Sequence, residues 1–342
     1  MLGIRRTALG ALIAIAVTVL VVGCAPGGGA GAAGAPAGGV ASAGVAAAAA
    51  APAIFPLLSA DPDVEVLEDL RYGTARDGSA LLLDVCLPGS ATSEARPAIV
   101  SIHGGSWARG DKGDVAWRAV CRWLASEGFV TFSLNYRLVP AVVFPAAVDD
   151  VQAAVRWVRS DSVASRFGVD PQRIGAFGGS AGGNLAALLG VSGSGSVSAG
   201  SRVAAVAALS GPMDLTGRHV TEAFAPVQLE YLGCAEYSTC DAAKAASPVF
   251  QADETDPPFF VGHALAEMIP VEQAAMFVSA LRKAGVPVEY VTVGGALHSL
   301  ELLDETLSGR VVDFFRARLG APAEPPVVEA PVVALTEEEP AA

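Results

Sequence analysis

Short apolar runs alternate with amphipathic stretches through the middle of this 342-residue chain, and that order restricts its fold more than any other feature. The runs at 98–102 and 203–209 are almost wholly apolar, as in strands that a parallel sheet buries on both faces. After the first run, apolar residues recur at helical spacing, at Trp117, Val120, Cys121 and Leu124. We therefore predict an α/β fold: a mostly parallel central sheet with helices on both faces.

The same patterns give the approximate bounds of the elements. Strands are expected at 80–87, 98–102, 129–134, 173–177, 203–209, 258–261 and 288–293. Helices are expected at 117–127, 144–158, 181–189, 271–281 and 300–319. No internal repeat is present, and residues 53–320 are enough for one sizeable core.

The N-terminus has the pattern of an export signal. Arg5 and Arg6 precede an uncharged apolar run over 8–23, which is typical of a secretory signal peptide. The run ends in Val-Val-Gly-Cys24, which resembles the bacterial lipoprotein box, whose cysteine carries the lipid. We predict a signal peptide at 1–23 and a lipidated Cys24 that anchors the protein to the outer face of a bacterial cell membrane; ordinary secretion is the alternative.

Two further segments have compositions that do not support a core. Of residues 25–52, 25 are Ala, Gly or Pro, so residues 24–52 are predicted to be the lipidated cysteine and a disordered tether. Residues 321–342 are rich in Pro and Glu and contain no basic residue, which predicts an acidic, disordered tail. The globular domain is expected at 53–320.

The charge balance excludes one class of partner. The chain has 22 Lys and Arg against 35 Asp and Glu, a net charge of −13, whereas nucleic-acid binding needs a basic surface. Hydrophobic residues make up 52% of the chain, but only the run at 8–23 approaches spanning length. We expect membrane contact only through the lipid anchor. The sequence indicates no oligomeric state.

A Gly178-x-Ser180-x-Gly182 motif lies where the strand at 173–177 ends and the helix at 181–189 begins. A nucleophilic serine on a strained strand-to-helix turn requires this context, because glycines avoid Cβ clashes on either side of it. A Gly-Ser loop without that context, such as 190–200, would carry no such meaning. Ser180 is therefore the predicted nucleophile.

A second motif, His103-Gly104-Gly105-Ser106-Trp107, directly follows the strand at 98–102. Acyl transfer creates an oxyanion, and each preorganised N–H donor stabilises it by about 3–4 kcal/mol. One donor is expected from Ala181, the residue after the nucleophile, and the others from this loop.

Together with Asn135-Tyr136-Arg137-Leu138 and the segment 144–151, these motifs resemble α/β-hydrolase carboxylesterases of the BD-FAE and hormone-sensitive-lipase-like groups, over about residues 65–318. The resemblance implies the α/β-hydrolase fold with a small cap segment, around 221–231 in this chain. It also implies a structural His103, and oxyanion donors at Gly105 and Ser106 beside Ala181. The family often has a third glycine where this chain has Ser106.

Four histidines can be considered for the general base: His103, His219, His263 and His298. In this fold the base follows the nucleophile and the acid and lies on the loop after the last strand. His298 lies there, between the strand at 288–293 and the last helix, and imidazole suits a base near neutral pH. We predict a surface role for His219 and a structural one for His263.

The triad acid is less sharply indicated. Alignment to the family pattern through Pro270 places Ala266 at the usual aspartate position, with Glu267 beside it. A carboxylate is needed to hold the imidazole tautomer, and Glu267 is the only acid between Pro257 and Pro270. Glu267 is the predicted acid. The alternatives are Asp253, Asp256, Asp304 or no acid at all.

Four cysteines remain if Cys24 is lipidated, and an exported domain with an even number of cysteines favours disulfides. Three connectivities are possible. Cys234 and Cys240 are six residues apart, which favours a local bridge and leaves Cys86 and Cys121, which are adjacent in the fold that the resemblance implies. No Cys and His spacing fits a zinc site, and neither a metal nor a cofactor is expected.

We thus expect a serine ester hydrolase that acts on a small-molecule ester through an acyl-enzyme. Two other hypotheses stay open. One is an amide or formamide hydrolase of the arylformamidase or peptidase type on the same fold, and the other is a non-catalytic surface binding module with a degenerate triad. Turnover of a short-chain ester separates enzyme from binder, and comparison with a formamide separates the two enzymes.

Overall fold

The computed structural model describes residues 62–90 and 92–320. The predicted signal peptide, Cys24, the tether and the acidic tail all lie outside these residues. No helix of the described residues is long and apolar enough to cross a membrane.

The described residues form one eight-stranded sheet, and its central strands are the predicted apolar runs. The strands are β1 (Glu65–Thr74), β2 (Ala80–Leu87), β3 (Arg96–Ile102), β4 (Val130–Leu134), β5 (Val169–Gly179), β6 (Ala205–Leu209), β7 (Phe259–Ala264) and β8 (Val288–Val293), in the spatial order β1-β2-β4-β3-β5-β6-β7-β8. β2 is antiparallel to β1 and β4, and every other neighbouring pair is parallel. The carboxyl ends of β3 and β5 to β8 therefore meet at one edge, where ligands bind in such sheets.

Helices cover both faces of this sheet. They are α1 (Val115–Ser126), α2 (Ala146–Arg159), α3 (Asp161–Phe167), α4 (Ala181–Val191), α5 (Ala225–Leu232), α6 (Ala242–Ala245), α7 (Val271–Lys283) and α8 (Glu305–Leu319). Alternate residues of β3 face opposite ways: Val100 joins a core with α2, α4 and α7, whereas Ile99 joins a second core with α1 and α8. This period of two, on a strand that is buried throughout, explains its apolar sequence.

Several elements differ from the sequence-based expectation: α3, α5 and α6 were not among the predicted helices, and two further differences have a clear physical reason. β1 is an additional edge strand, and most of its residues are exposed or half-buried, so its sequence lacks an apolar run. The last helix begins at Glu305 rather than near residue 300, because the Asp304 carboxylate accepts the Leu307 N–H at 2.7 Å and caps it. The preceding residues Ser299–Leu302 form a separate 3₁₀ turn.

The predicted cap segment, around 221–231, corresponds to α5, and α6 follows it before β7. The Tyr231 ring of α5 stacks on Trp107 with a centroid distance of 4.2 Å. The cap therefore packs directly on the loop that carries the His-Gly-Gly-Ser-Trp motif.

Both expected disulfides are present. Cys234 bonds to Cys240 next to the end of α5, and Cys86 on β2 bonds to Cys121 on α1. The second bridge joins the sheet to a helix on its face, and its two cysteines are 35 residues apart in sequence. The connectivity that the sequence left open is thus resolved.

Candidate active site

Ser180 lies on a sharp turn between β5 and α4, with a backbone φ of 57° and ψ of −125°. Its N–H donates to the Leu209 carbonyl at 2.8 Å, which fixes the turn against β6. A Cβ on Gly178 would overlap the Gly182 carbonyl, and one on Gly182 would overlap the Ile102 carbonyl. Both motif glycines are therefore required by the close packing of the turn, which holds a non-glycine residue in the left-handed region at Ser180.

The loop after β3 runs directly beside this serine. A Cβ on Gly104 would lie 2.9 Å from the Gly179 carbonyl oxygen and 3.2 Å from the Ser180 Cβ. Gly105, Ser106 and Trp107 follow with φ values of 113°, 56° and 55°. Three consecutive residues with positive φ turn the backbone back on itself beside Ser180.

Three amides were predicted as oxyanion donors, and the fold places all three around the serine turn. Gly105 and Ser106 line the same pocket as Ser180. Ala181 is the first residue of α4, and the N–H groups of a helix's first turn have no partner within the helix. This is the arrangement in which backbone donors can face a developing oxyanion.

His103 is buried beneath the loop, and its ring is held there by packing and hydrogen bonds. Its Nδ1 lies 2.7 Å from the Gly104 carbonyl oxygen, and since a carbonyl only accepts, Nδ1 must donate. The ring stacks on Tyr136 at 4.3 Å, and the Tyr136 hydroxyl donates to the His103 carbonyl at 3.0 Å. Burial lowers the pKa of His103, which favours the neutral ring that this packing accommodates.

His298 and Glu267 meet at the carboxyl edge of β7 and β8. The His298 Nδ1 is hydrogen-bonded to Glu267 Oε2, and the Glu267 side chain is completely buried. Burial alone would raise the pKa of Glu267, but hydrogen bonds from His263 and His298 outweigh it and hold the pKa at about 2. Glu267 is thus a buried, ionised partner for the His298 ring.

Two further residues, His263 and Ser210, hold Glu267 in place. The sequence predicted this role for neither of them. The His263 Nδ1 lies 2.9 Å from Glu267 Oε1 and 2.8 Å from the Ala264 carbonyl oxygen, so Nδ1 carries the proton. Ser210 hydrogen-bonds Glu267 through its side chain, and its Oγ also accepts the Ser299 N–H at 2.8 Å. Ser210 follows β6 and His263 lies near the end of β7, and these two parallel strands are neighbours. Their position at the carboxyl edge of the sheet is the signal that could have identified them.

The alternative acids have other partners. Asp304 caps α8, and Asp253 accepts hydrogen bonds from the Thr255 N–H and hydroxyl at 2.7 Å. Asp256 accepts the Asp253 N–H at 2.9 Å and lies 3.7 Å from the Arg202 guanidinium. Ala266 is exposed, and its N–H donates to the Gly295 carbonyl at 2.9 Å. Among these candidates it is Glu267 that the structure brings to His298.

Ser180 and His298 open into one pocket of about 410 Å³, which the loop at 104–106 also lines. Within the described ranges, no group of three or more His, Cys, Asp or Glu side chains could hold a metal ion. The pocket therefore combines a serine hydroxyl, a carboxylate-paired imidazole and a turn of backbone amides.

The chain is similar to known esterases over most of this fold. The BD-FAE family model matches residues 83–281. Esterase LipQ of Mycobacterium tuberculosis is 33% identical over 263 residues, or 74% of this chain; the chain spans 61% of the length of LipQ. Arylacetamide deacetylase of Bos taurus is 39% identical over 106 residues, which cover 31% of this chain and 27% of that protein. The solved structure of Thermogutta terrifontis esterase 2 phosphonylated by sarin superimposes with a TM-score of 0.64 and 28% identity, covering 77% of this chain and 97% of that one.

Proposed function

The chain belongs to the BD-FAE family of α/β-hydrolases, and from that premise we propose that it is a serine carboxylesterase that cleaves small-molecule esters through an acyl-enzyme on Ser180. The observation that carries the proposal is the hydrogen bond between His298 and the buried Glu267, in the same pocket as Ser180. A nucleophile needs a base beside it and a third group that orients the base.

In the first step the Ser180 Oγ bonds to the ester carbonyl carbon while His298 Nε2 takes the hydroxyl proton. Glu267 accepts from Nδ1–H, which keeps Nε2 free to act as the base and stabilises the imidazolium that forms. With its pKa held at about 2 by hydrogen bonds that outweigh burial, Glu267 stays ionised throughout. The carbonyl electron pair moves to oxygen, where the amides of Gly105, Ser106 and Ala181 stabilise the charge.

In the second step the carbonyl re-forms and the bond to the leaving oxygen breaks. His298 returns its proton to that oxygen, so an alcohol leaves and the acyl group stays on Ser180. Water then repeats the sequence: His298 takes its proton, the hydroxyl attacks the acyl carbon, and Ser180 leaves with the proton. No electron donor or acceptor outside these groups is needed.

The amide hydrolase is the second candidate, since the same groups can cleave an amide and arylacetamide deacetylase shares similarity with part of the chain. A non-catalytic module is less well supported, because a site that had lost catalysis would not need a buried carboxylate hydrogen-bonded to His298. We also propose export and lipid anchoring at Cys24, on the sequence of residues 1–24 alone.

The test is a pair of substrates with matched aryl groups. Purified protein is assayed with 4-nitrophenyl acetate and with 4-nitroacetanilide, alongside Ser180→Ala and the exposed control Ser165→Ala. We expect ester kcat/KM to exceed anilide kcat/KM, and only Ser180→Ala to lose turnover. A preference for the anilide would support the amide hydrolase, and equal activity of wild type and Ser180→Ala would contradict a serine mechanism.

A further inference from the structure

Two exposed apolar side chains, Met268 and Leu297, lie next in sequence to Glu267 and His298. The large hydrophobic side chains that are highly exposed in the described part of the chain are Val115, Val143, Phe250, Leu265, Met268 and Leu297. Met268 lines the pocket, and Leu297 immediately precedes His298 in the chain. Single exposed apolar groups are common, but Met268 lines the catalytic pocket itself, where it can contact a substrate.

The loops that carry Leu265, Met268 and Leu297 are hydrogen-bonded to each other. Leu265 donates its N–H to the Val293 carbonyl and Ala266 to the Gly295 carbonyl, both at 2.9 Å. These bonds join the loop after β7 to the loop after β8. Met268 is 50% exposed and Leu297 is 46% exposed. Met268 and Leu300 line the pocket, and Leu297 immediately precedes the lining residue His298. We name Met268, Leu297 and Leu300 the leaving-group surface.

The chemistry of the second step decides which part of a substrate meets this surface. His298 must place its Nε2 proton on the leaving oxygen as the carbon–oxygen bond breaks, so the alcohol has to lie within hydrogen-bond reach of that ring. Leu297 is the neighbour of His298, and Met268 is the neighbour of its partner Glu267. Met268 and Leu300 line the same pocket as His298, so they belong to the wall that the alcohol portion of the ester meets.

The charged group on this side is already engaged. The Glu301 carboxylate accepts the His298 backbone N–H at 2.9 Å and thereby holds the 3₁₀ turn after His298. The other charged residues of the pocket wall, Arg109 and Asp114, belong to the segment that follows the oxyanion loop. On this side of the pocket, Met268 and Leu300 are thus the apolar lining residues, beside Ser299 and the engaged Glu301.

We propose that the leaving-group surface binds the apolar alcohol portion of the substrate, so that the preferred substrates are esters of hydrophobic alcohols. This rests on the proposed esterase function and names its substrate class. Complete burial of a methylene group is worth about fourfold in affinity. Because this surface is open to solvent on one side, about half of that burial is available, and we expect about a twofold gain per methylene.

Two matched series of substrates test the proposal. The alcohol series consists of ethyl, butyl and hexyl acetate, and the acyl series of ethyl acetate, butyrate and hexanoate, all followed by acid release. Met268→Ser and Leu297→Ser are compared with Phe250→Ser, a control that is 47% exposed and is not part of the pocket lining. Melting temperatures confirm that each variant is folded.

For wild type and Phe250→Ser, we expect kcat/KM to rise about tenfold or more from ethyl to hexyl acetate. For Met268→Ser and Leu297→Ser, this ratio should fall to within about threefold of unity, and the acyl-series ratio should match wild type. An unchanged alcohol ratio in both folded variants, or a loss confined to the acyl series, would overturn the proposal. A wild type that turns over no ester in either series would instead contradict the proposed function.

Discussion

Replacing Glu267 by glutamine should disable His298 by fixing the wrong tautomer. The Glu267 Oε1 faces two donors, the His263 Nδ1–H at 2.9 Å and the Ala264 N–H at 3.3 Å. In Glu267→Gln, an amide NH₂ in the place of Oε1 would face these two N–H donors with no acceptor between them. The amide oxygen of the glutamine must therefore take that place. The NH₂ of the new side chain then faces His298 Nδ1 and donates to it, which leaves the His298 proton on Nε2.

A protonated Nε2 on a neutral ring has no lone pair with which to take the Ser180 proton. In the serine-protease template the equivalent amide substitution costs about 10⁴ in kcat, which is about 5.5 kcal/mol of transition-state stabilisation. The complete burial of the Glu267 side chain leaves little room for adjustment, so we expect a loss of about 10³–10⁴. Glu267→Asp keeps the charge but is one methylene shorter, and it should retain partial activity.

The assay is kcat and kcat/KM for 4-nitrophenyl acetate, with melting temperature as the check on folding. Asp304→Asn and Asp256→Asn serve as matched carboxylate controls, and both should stay within about threefold of wild type because neither carboxylate is paired with His298. A folded Glu267→Gln protein that runs within about threefold of wild type would refute the role of Glu267, and a loss of activity in one of the controls instead would assign the acid there.

Three further changes have definite expected outcomes. Burial raises the pKa of Asp256 to about 6 from 3.8, even with Arg202 nearby, so stability that is present below pH 4 is lost as the pH rises through 6. Asp256→Asn should therefore increase the free energy of unfolding by about 1–2 kcal/mol at pH 7.5, which raises the melting temperature there and not at pH 4. Equal shifts at both pH values would speak against this. Gly105→Ala would push a Cβ into the Arg109 carbonyl at a φ of 113°, so kcat should fall by about 10² or more. The control Gly78→Ala has a positive φ but open space around it and should leave kcat unchanged. Equal kcat values for the two variants would argue against a donor loop. Cys24→Ser should release the protein from membranes in cell fractionation, and retention after signal removal would contradict lipid anchoring.

The parts of the site that sequence could predict are those encoded within a few residues. Ser180 was predictable because its two flanking glycines and the strand-to-helix change are all local. His298 was predictable because it is the histidine that lies between the last apolar strand pattern and the last helix. Glu267 was predicted because alignment to the family pattern through Pro270 placed it beside the usual aspartate position, as the only acid nearby, and the structure brings its carboxylate to His298.

The residues that escaped prediction depend on strand order. Ser210 accepts the Ser299 N–H across 89 positions of sequence, and this pairing exists because β6, β7 and β8 are neighbours in the sheet. The His263–Glu267 contact depends on the path of the loop after β7, which no periodic pattern encodes. β1 escaped because an exposed edge strand needs no apolar run.

The central claim, that Ser180 forms an acyl-enzyme, is tested most directly by covalent labelling. The purified protein is treated with a fluorophosphonate, its intact mass is measured and the modified peptide is mapped, in parallel with Ser180→Ala. We predict one adduct per chain, on Ser180, with ester hydrolysis lost in proportion to labelling and no adduct on Ser180→Ala. An adduct on another residue that tracks the loss of activity, or a Ser180→Ala protein that keeps a tenth of wild-type turnover, would contradict the claim.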